Sequence, residues 1–182
     1  MPNHVQNRIH LDGEKGKIKE MLEKIQNEEY GIGTVDFQKI LPIPPFIPEN
    51  QQIDWCRGNW GTKWNAYDYE PDVDYSNSQI LEFWTAWSAP HPLMEKLSQM
   101  FPEIEFVHEW ADEDLGVNCG KRTYQNGEIY EQYYPETEKE RMEFACVVWG
   151  ETPETMGFAY DKKSRCYEYI GFESETIEQN PA

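Results

Sequence analysis

Between residues 3 and 28 the spacing of the apolar side chains changes, and no other feature restricts the fold of this chain as strongly. From Asn3 to Leu11, Val5, Ile9 and Leu11 stand on one side with polar residues between them. That period of two belongs to a strand with one dry face. Asp12-Gly13 closes it. From Glu14 to Glu28, Ile18, Met21, Leu22 and Ile25 fall on one helical stripe, and Glu20 with Lys24 forms an i,i+4 pair on the wet side. The same alternation of periods recurs later. Ile80, Leu81, Phe83 and Trp84 make a strand over Gln79–Trp84. Leu93, Met94, Leu97, Met100 and Phe101 make a second helical stripe, which Pro102 ends. Ile104, Phe106 and His108 then alternate as a strand.

With Thr34–Ile40 read as a short strand, the order is strand, helix, strand, insertion, strand, helix, strand. This predicts an α+β fold of the ferredoxin-like, split βαβ kind: a four-stranded antiparallel sheet with its helices on one face. The insertion is a long loop over 41–78. It opens with Leu41–Pro48, whose four prolines exclude helix and central strand, and residues 49–78 read as irregular. The core domain is expected over 1–120, with 121–182 as a C-terminal extension packed on it. In that extension Asn126-Gly127 marks a hairpin between Lys121–Gln125 and Ile129–Tyr134. Thr137-Glu138-Lys139-Glu140 is a capping box for a helix running to Trp149 and Gly150. Phe158–Tyr160 and Cys166–Ile170 form a second hairpin, and the tail Glu173–Ala182 is expected to be loose.

Charge narrows the function classes. The chain of 182 residues has 34 acids against 16 Lys and Arg, a net charge of −18. Nucleic-acid binding draws most of its affinity from phosphate neutralisation, so direct binding of nucleic acid is not expected. An aromatic content of 14% argues against a disordered acidic tail. Cys56, Cys119, Cys146 and Cys166 include no C-x-x-C pair, which speaks against a zinc knuckle or a redox motif. With no apolar leader or membrane span in the sequence, they read as reduced thiols of a cytoplasmic protein.

Several segments could carry chemistry. Asn59-Trp60-Gly61-Thr62-Lys63-Trp64-Asn65 places two tryptophans around a Gly-Thr-Lys turn. It reads either as an aromatic platform for a planar or anionic ligand or as a loop pinned by its tryptophans. Thr85-Ala86-Trp87-Ser88-Ala89-Pro90 joins a strand end to a helix start, a place for an anion or simply for a Ser88 cap. The binding candidates are therefore Asn59, Trp60, Thr62, Lys63, Trp64, Asn65, Thr85, Trp87 and Ser88, with the loop folded back against the turn as one cluster. His108-Glu109-Trp110-Ala111-Asp112 imitates a zinc helix motif but sits on a strand, so no metal is expected there. Asp68, Glu70, Asp72 and Asp74 would share a face if the backbone were extended, and they read as a solvated acidic face. His4 and His10 lie on the first strand without an evident partner. No catalytic residue and no cofactor can be assigned.

Taken together, four stretches resemble the YubB ferredoxin-like family of phage- and plasmid-borne bacterial proteins. They are Asn3–Ile9, Asn59–Asn65, Phe83–Pro90, and the acidic turn Glu109–Gly120 before Tyr124-Gln125-Asn126-Gly127. The helix ending in Phe144-Ala145 and Trp149-Gly150 adds to the likeness, which spans about residues 3 to 150. His4-Val5 stands where the family usually has Trp-Cys. The resemblance implies a ferredoxin-like core and a mobile-element origin, and it carries over no catalytic residue. The expected function is a non-enzymatic binding or accessory module, with a host or phage protein as partner and no membrane contact. Two alternatives stay open: an acidic nucleic-acid mimic that blocks a host DNA-binding protein, and an enzyme of unknown chemistry using the Asn59–Asn65 loop and the Thr85–Ser88 turn.

Overall fold

The computed structural model describes residues 3–70, 72–76 and 79–171. In chain order the elements are β1 (His4–Asp12), α1 (Lys15–Ile25), α2 (Phe37–Ile40), α3 (Glu49–Asn59), β2 (Ile80–Ala86) and α4 (His91–Met100). They continue as β3 (Glu105–Asp112), β4 (Cys119–Gln125), β5 (Glu128–Tyr133), α5 (Glu138–Val148), β6 (Phe158–Asp161) and β7 (Cys166–Tyr169). The main sheet has the order β2-β1-β3-β4-β5, and every neighbouring pair is antiparallel. Since β2 and β3 both run against β1, they are parallel to each other with β1 between them. The unit β2–α4–β3 is thus the split βαβ that the periodicities imply.

The alternation read in β1 is realised residue by residue. Val5, Asn7, Ile9 and Leu11 are buried, and the residues between them are half-buried. On that dry face α1 lays down Ile18, Met21, Leu22 and Ile25, and α4 adds Leu93, Met94 and Leu97, around Phe83, Phe106 and Tyr124. These two helices share one face, as expected. The opposite face is partly covered by α5. Arg8 Nη1 donates to Val147 O at 3.0 Å, and Ala111 and Cys119 pack with Ala145 and Val148. Methyl-sized side chains at Ala111 and Ala145 let this helix approach the strands closely.

Two expectations fail locally. Thr34–Ile40 is not a strand: Asp36 accepts a hydrogen bond from Gln38 N and starts the short helix α2. The insertion 41–78 is not irregular throughout, because 49–59 form α3. That helix follows Pro48, has Glu49 in its first turn, and buries only Cys56 along its length, so it leaves almost no apolar stripe in the sequence. The expected four strands lose the one at 34–40 and gain two, because the Asn126-Gly127 hairpin pairs onto β3 through β4, which makes five. Both turn residues are left-handed, at φ 51° and 81°, which suits a type I′ turn. The hairpin β6–β7 forms a separate two-stranded sheet. The tail Glu173–Ala182 lies outside the described residues.

The capping box of α5 is complete. Thr137 Oγ1 accepts from Glu140 N, and the Glu140 carboxylate accepts from Thr137 N at 2.9 Å. Replacing Thr137 with Ala leaves one of these amides unpaired. We expect Thr137→Ala to lower stability by about 1 kcal/mol, measured by urea denaturation with an unchanged slope.

Candidate functional site

The loop 59–65 and the turn 85–88 form one cluster at the end of the sheet where β1 begins and β2 and β3 finish. Thr62 is the pin. It is 1% exposed, its hydroxyl donates to Ala86 O at 2.8 Å, and it accepts from Ala86 N at 3.1 Å. Lys63 N donates to the same carbonyl at 3.3 Å. Ser88 Oγ donates to Gly61 O, so Ser88 ties the loop down and does not cap α4. The N-cap of α4 is Pro90, with no side-chain hydrogen bond. Ser88 stands two residues before that N-cap, outside the capping position, and its hydroxyl is turned to the loop instead. Gly61 is left-handed at φ 81°, and a Cβ there would come 2.7 Å from Pro92, so the loop passes α4 without room for a side chain.

The candidate residues divide by burial into a frame and a surface. Trp60 is in the core, edge-on to Phe37 and Trp55, and its indole N–H donates to Leu41 O at 2.8 Å. Asn65 holds the start of α2, accepting from Phe37 N at 2.8 Å and donating to Asp36 at 2.7 Å. Asn59 donates back to Trp55 O within the last turn of α3. Thr85 is fully buried, accepting from Asn7 and donating to Ser88 O at 2.9 Å. These side chains are architecture. Trp64 and Trp87 are different, at 38% and 41% exposed. Lys63 Nζ lies 4.6 Å from the Trp64 ring centroid and 4.2 Å from that of Trp87, and Arg57 lies over Trp87 from another direction at 5.5 Å. Trp87 holds this position with a left-handed backbone, φ 75°, a conformation unfavourable for a bulky residue. Beside it is a cleft of about 450 Å³ lined by Asp54, Arg57, Gly58, Gly61, Lys63, Trp87 and Ser88.

A second and larger cavity, about 620 Å³, opens on the other side of residues 88–91. Its wall includes Arg122, Tyr134, His91 and Arg141, none of them a candidate from the sequence. The signal that could have found it is Gly120 inside a strand, since such a glycine marks close approach. A Cβ on Gly120 would lie 2.9 Å from Trp110 and 3.0 Å from Tyr134.

Histidines line the dry face nearby. His108 is fully buried, and its Nε2 faces Asn7 Oδ1 at 3.0 Å. Burial, then the charges of His91 and Arg122, hold it well below the ordinary histidine range. His91 Nδ1 meets the Tyr124 hydroxyl at 3.1 Å, and burial, then Arg122, lowers its pKa to about 4. His108 to Asp112 runs along β3 as a strand, so its His and Asp do not share a helix face. Asp68 and Asp72 have φ of 73° and 71°, so the acidic run is not extended and its carboxylates do not share one face. Among the described residues no group of three His, Cys, Asp or Glu could hold a metal ion. His4, unpartnered in the sequence reading, meets the Tyr67 hydroxyl at 2.6 Å and stacks on Trp84.

Two outcomes follow from this burial. Trp60→Ala should cost about 3–5 kcal/mol, whereas Trp64→Ala should cost well under half of that; chemical denaturation of both variants checks the split. The second concerns pH. An unfolded histidine binds its proton near pH 6.5, whereas folded His91 binds it only near pH 4. The stability contributed by neutral His91 is therefore complete above about pH 6.5 and lost as the pH falls toward 4. The urea midpoint should drop over that window, and it should drop less in His91→Gln.

No curated protein matches the chain. A crystal structure of protein Api92 from Yersinia pseudotuberculosis is similar, with 22% sequence identity and a TM-score of 0.44 over 56% of this chain. The match covers 40% of that protein's chain. Among the described residues no helix is long and apolar enough to cross a membrane. The family model described as the ferredoxin-like domain in Api92-like protein matches residues 59–159, more than half of the chain, opening on the first residue of the tryptophan loop, and the protein therefore belongs to that Api92-like, ferredoxin-like family.

Proposed function

We propose that the protein is a non-enzymatic binding or accessory module, and that it meets its partner through the shelf formed by Trp64, Lys63 and Trp87. The observation that carries this reading is Trp87: a large ring, 41% exposed, kept at φ 75°. Unfavourable backbone of this kind costs on the order of 1–3 kcal/mol and tends to persist where a function uses it. A ring needed only for packing gains nothing from standing half in water. Lys63 and Arg57 cap the ring, so the shelf suits a partner protein that offers a carboxylate or a planar side chain.

The finer parts of the reading rest on separate observations. Kinship with the YubB proteins, and with it a mobile-element origin in a bacterial host, is supported by the tryptophan string 59–65 and its close neighbour 83–90. A cytoplasmic setting is supported by four cysteines that are all free thiols. Phage or host proteins are then the partners at hand, and the net charge of −18 favours those over nucleic acid.

Trp87→Gly tests the reading because it removes the ring and the backbone strain together. Glycine populates this region freely, so stability should stay within about 1 kcal/mol of the parent. Capture from host lysate should lose the same partner in Trp87→Gly and in Lys63→Ala, with melting temperatures nearly unchanged. If both variants capture the partner as the parent does, the shelf is structural only.

A further inference from the structure

The cavity on the far side of residues 88–91 has a charge that the rest of the molecule makes improbable. In a chain with 34 acids and 16 bases, its lining contains Arg122 and Arg141 and no carboxylate. Neither arginine forms an ion pair among the described residues. A guanidinium surrounded by so many acids would ordinarily have one as a neighbour. Here the two line one concave space without an ion-pair partner among the described residues.

The local geometry shows what is left over for a ligand. Arg122 points from β4 to the dry face of the sheet, opposite His108 in register. Its guanidinium lies 5.7 Å from the Trp110 ring centroid and 5.9 Å from that of Tyr134. Nε and Nη2 both donate to the Tyr134 hydroxyl, at 2.9 and 2.6 Å. A phenol oxygen that accepts two bonds from a cation has its own hydrogen free for a third group, and a guanidinium has five donors. Arg122 also bonds the Tyr124 hydroxyl, so Tyr134 O–H and the Arg122 N–H groups beyond these bonds remain available on the same wall. Arg141 lines the cavity from α5, beside Gly116, whose left-handed φ of 81° suits glycine. His91, at the first turn of α4, completes the floor without adding charge.

We propose that this cavity binds a small organic oxyanion, a phosphate or carboxylate that Arg122, Arg141 and Tyr134 hold while an apolar body lies against Trp110, Val117 and Pro135. The volume, about 620 Å³, exceeds what a bare ion needs and falls within the range of small-molecule sites, on the order of 300–1,000 Å³. The planar fork of Arg122 is already fixed by two rings, so little side-chain freedom is lost on binding. The site is independent of the Trp64–Lys63–Trp87 shelf, since the two cavities share no lining residue.

Amide NMR of the full chain tests this with four probes: phenyl phosphate, benzoate, inorganic phosphate and neutral benzyl alcohol. Phenyl phosphate or benzoate should give saturable shifts at residues 116–119 and at Tyr134, and the tighter of the two identifies the oxyanion. Arg141→Gln, an exposed change on α5, should weaken that binding by about tenfold or more without altering the melting temperature. Lys63→Ala should leave it unchanged, which separates this result from the fate of the shelf. The proposal fails if neither organic anion saturates these residues in the millimolar range, if benzyl alcohol binds as well, or if Arg141→Gln binds like the parent. If inorganic phosphate binds as tightly as phenyl phosphate, the apolar wall contributes nothing and the organic part of the proposal falls.

Discussion

A single buried amide organises the sheet and, through it, the surface. Asn7 sits on β1, between β2 and β3, with no exposure, where an unpaired polar group would cost about 1–3 kcal/mol. Its Nδ2 donates to Val5 O and to Thr85 Oγ1, both at 2.9 Å. Because a carbonyl can only accept, this fixes the amide's orientation and turns Oδ1 toward His108. His108 Nε2 must then carry its hydrogen, which leaves Nδ1 without a partner, in a site where burial already disfavours the charged ring. On the other side Thr85, having accepted from Asn7, donates to Ser88 O. Ser88 in turn donates to Gly61 O. Ser88 is thus held twice, by its backbone carbonyl to Thr85 and by its hydroxyl to Gly61, so the buried Asn7–Thr85 pair and the tryptophan loop meet at one residue.

This dependence explains the division within the 59–65 segment. Thr62 and Trp60 are spent on holding the loop, one by hydrogen bonds to Ala86 and one by burial among Phe37 and Trp55. With both ends fixed, Lys63 and Trp64 have no path into the core and must project from it. The sequence shows two tryptophans in symmetrical positions; the fold makes one of them core and the other surface. Only tertiary structure could distinguish them, since Trp60 is buried by Phe37 and Leu41, far away along the chain.

The legible parts of the fold were those encoded locally. Alternation in β1, the stripes of α1 and α4, the Asn126-Gly127 turn and the Thr137–Glu140 capping box depend on residues within one turn or one hairpin of each other. What escaped depends on distant partners. Helix α3 carries one buried side chain, so its propensity and its start after Pro48 were the only signals. The segment 34–40 has strand-like composition, but Asp36 bonds to Gln38 and Asn65 and closes a turn there. The hairpin was visible and its role in the main sheet was not, because the pairing of β4 with β3 is written in no local pattern. Of the candidate site, the clustering of loop and turn was expected, but it is made by the hydrogen bonds of Thr62 and Ser88, while Trp64 and Trp87 stay half in water. The arginine cavity was not expected, because Arg122, Tyr134 and Arg141 come from a strand, a strand end and a helix that only the sheet brings together.

The distribution of charge ties these pieces to one end of the molecule. Lys63, Arg57, Arg122 and Arg141 all stand around the N-terminus of α4 and the adjoining strand ends, while the acids outnumber the bases over the chain as a whole. At physiological ionic strength the screening length is about 8 Å. The larger cavity is lined by arginines and no carboxylate, whereas the smaller cleft has Asp54 beside Arg57 and Lys63. The lining charge of the larger cavity is therefore cationic, whereas an anion approaching through dilute buffer meets the field of the whole acidic surface. Salt then acts in two opposed ways. Moderate ionic strength removes the distant repulsion first, and only higher concentrations weaken the short contacts. A chain with a net charge of −18 can in this way keep an arginine-lined cavity whose lining carries the opposite sign.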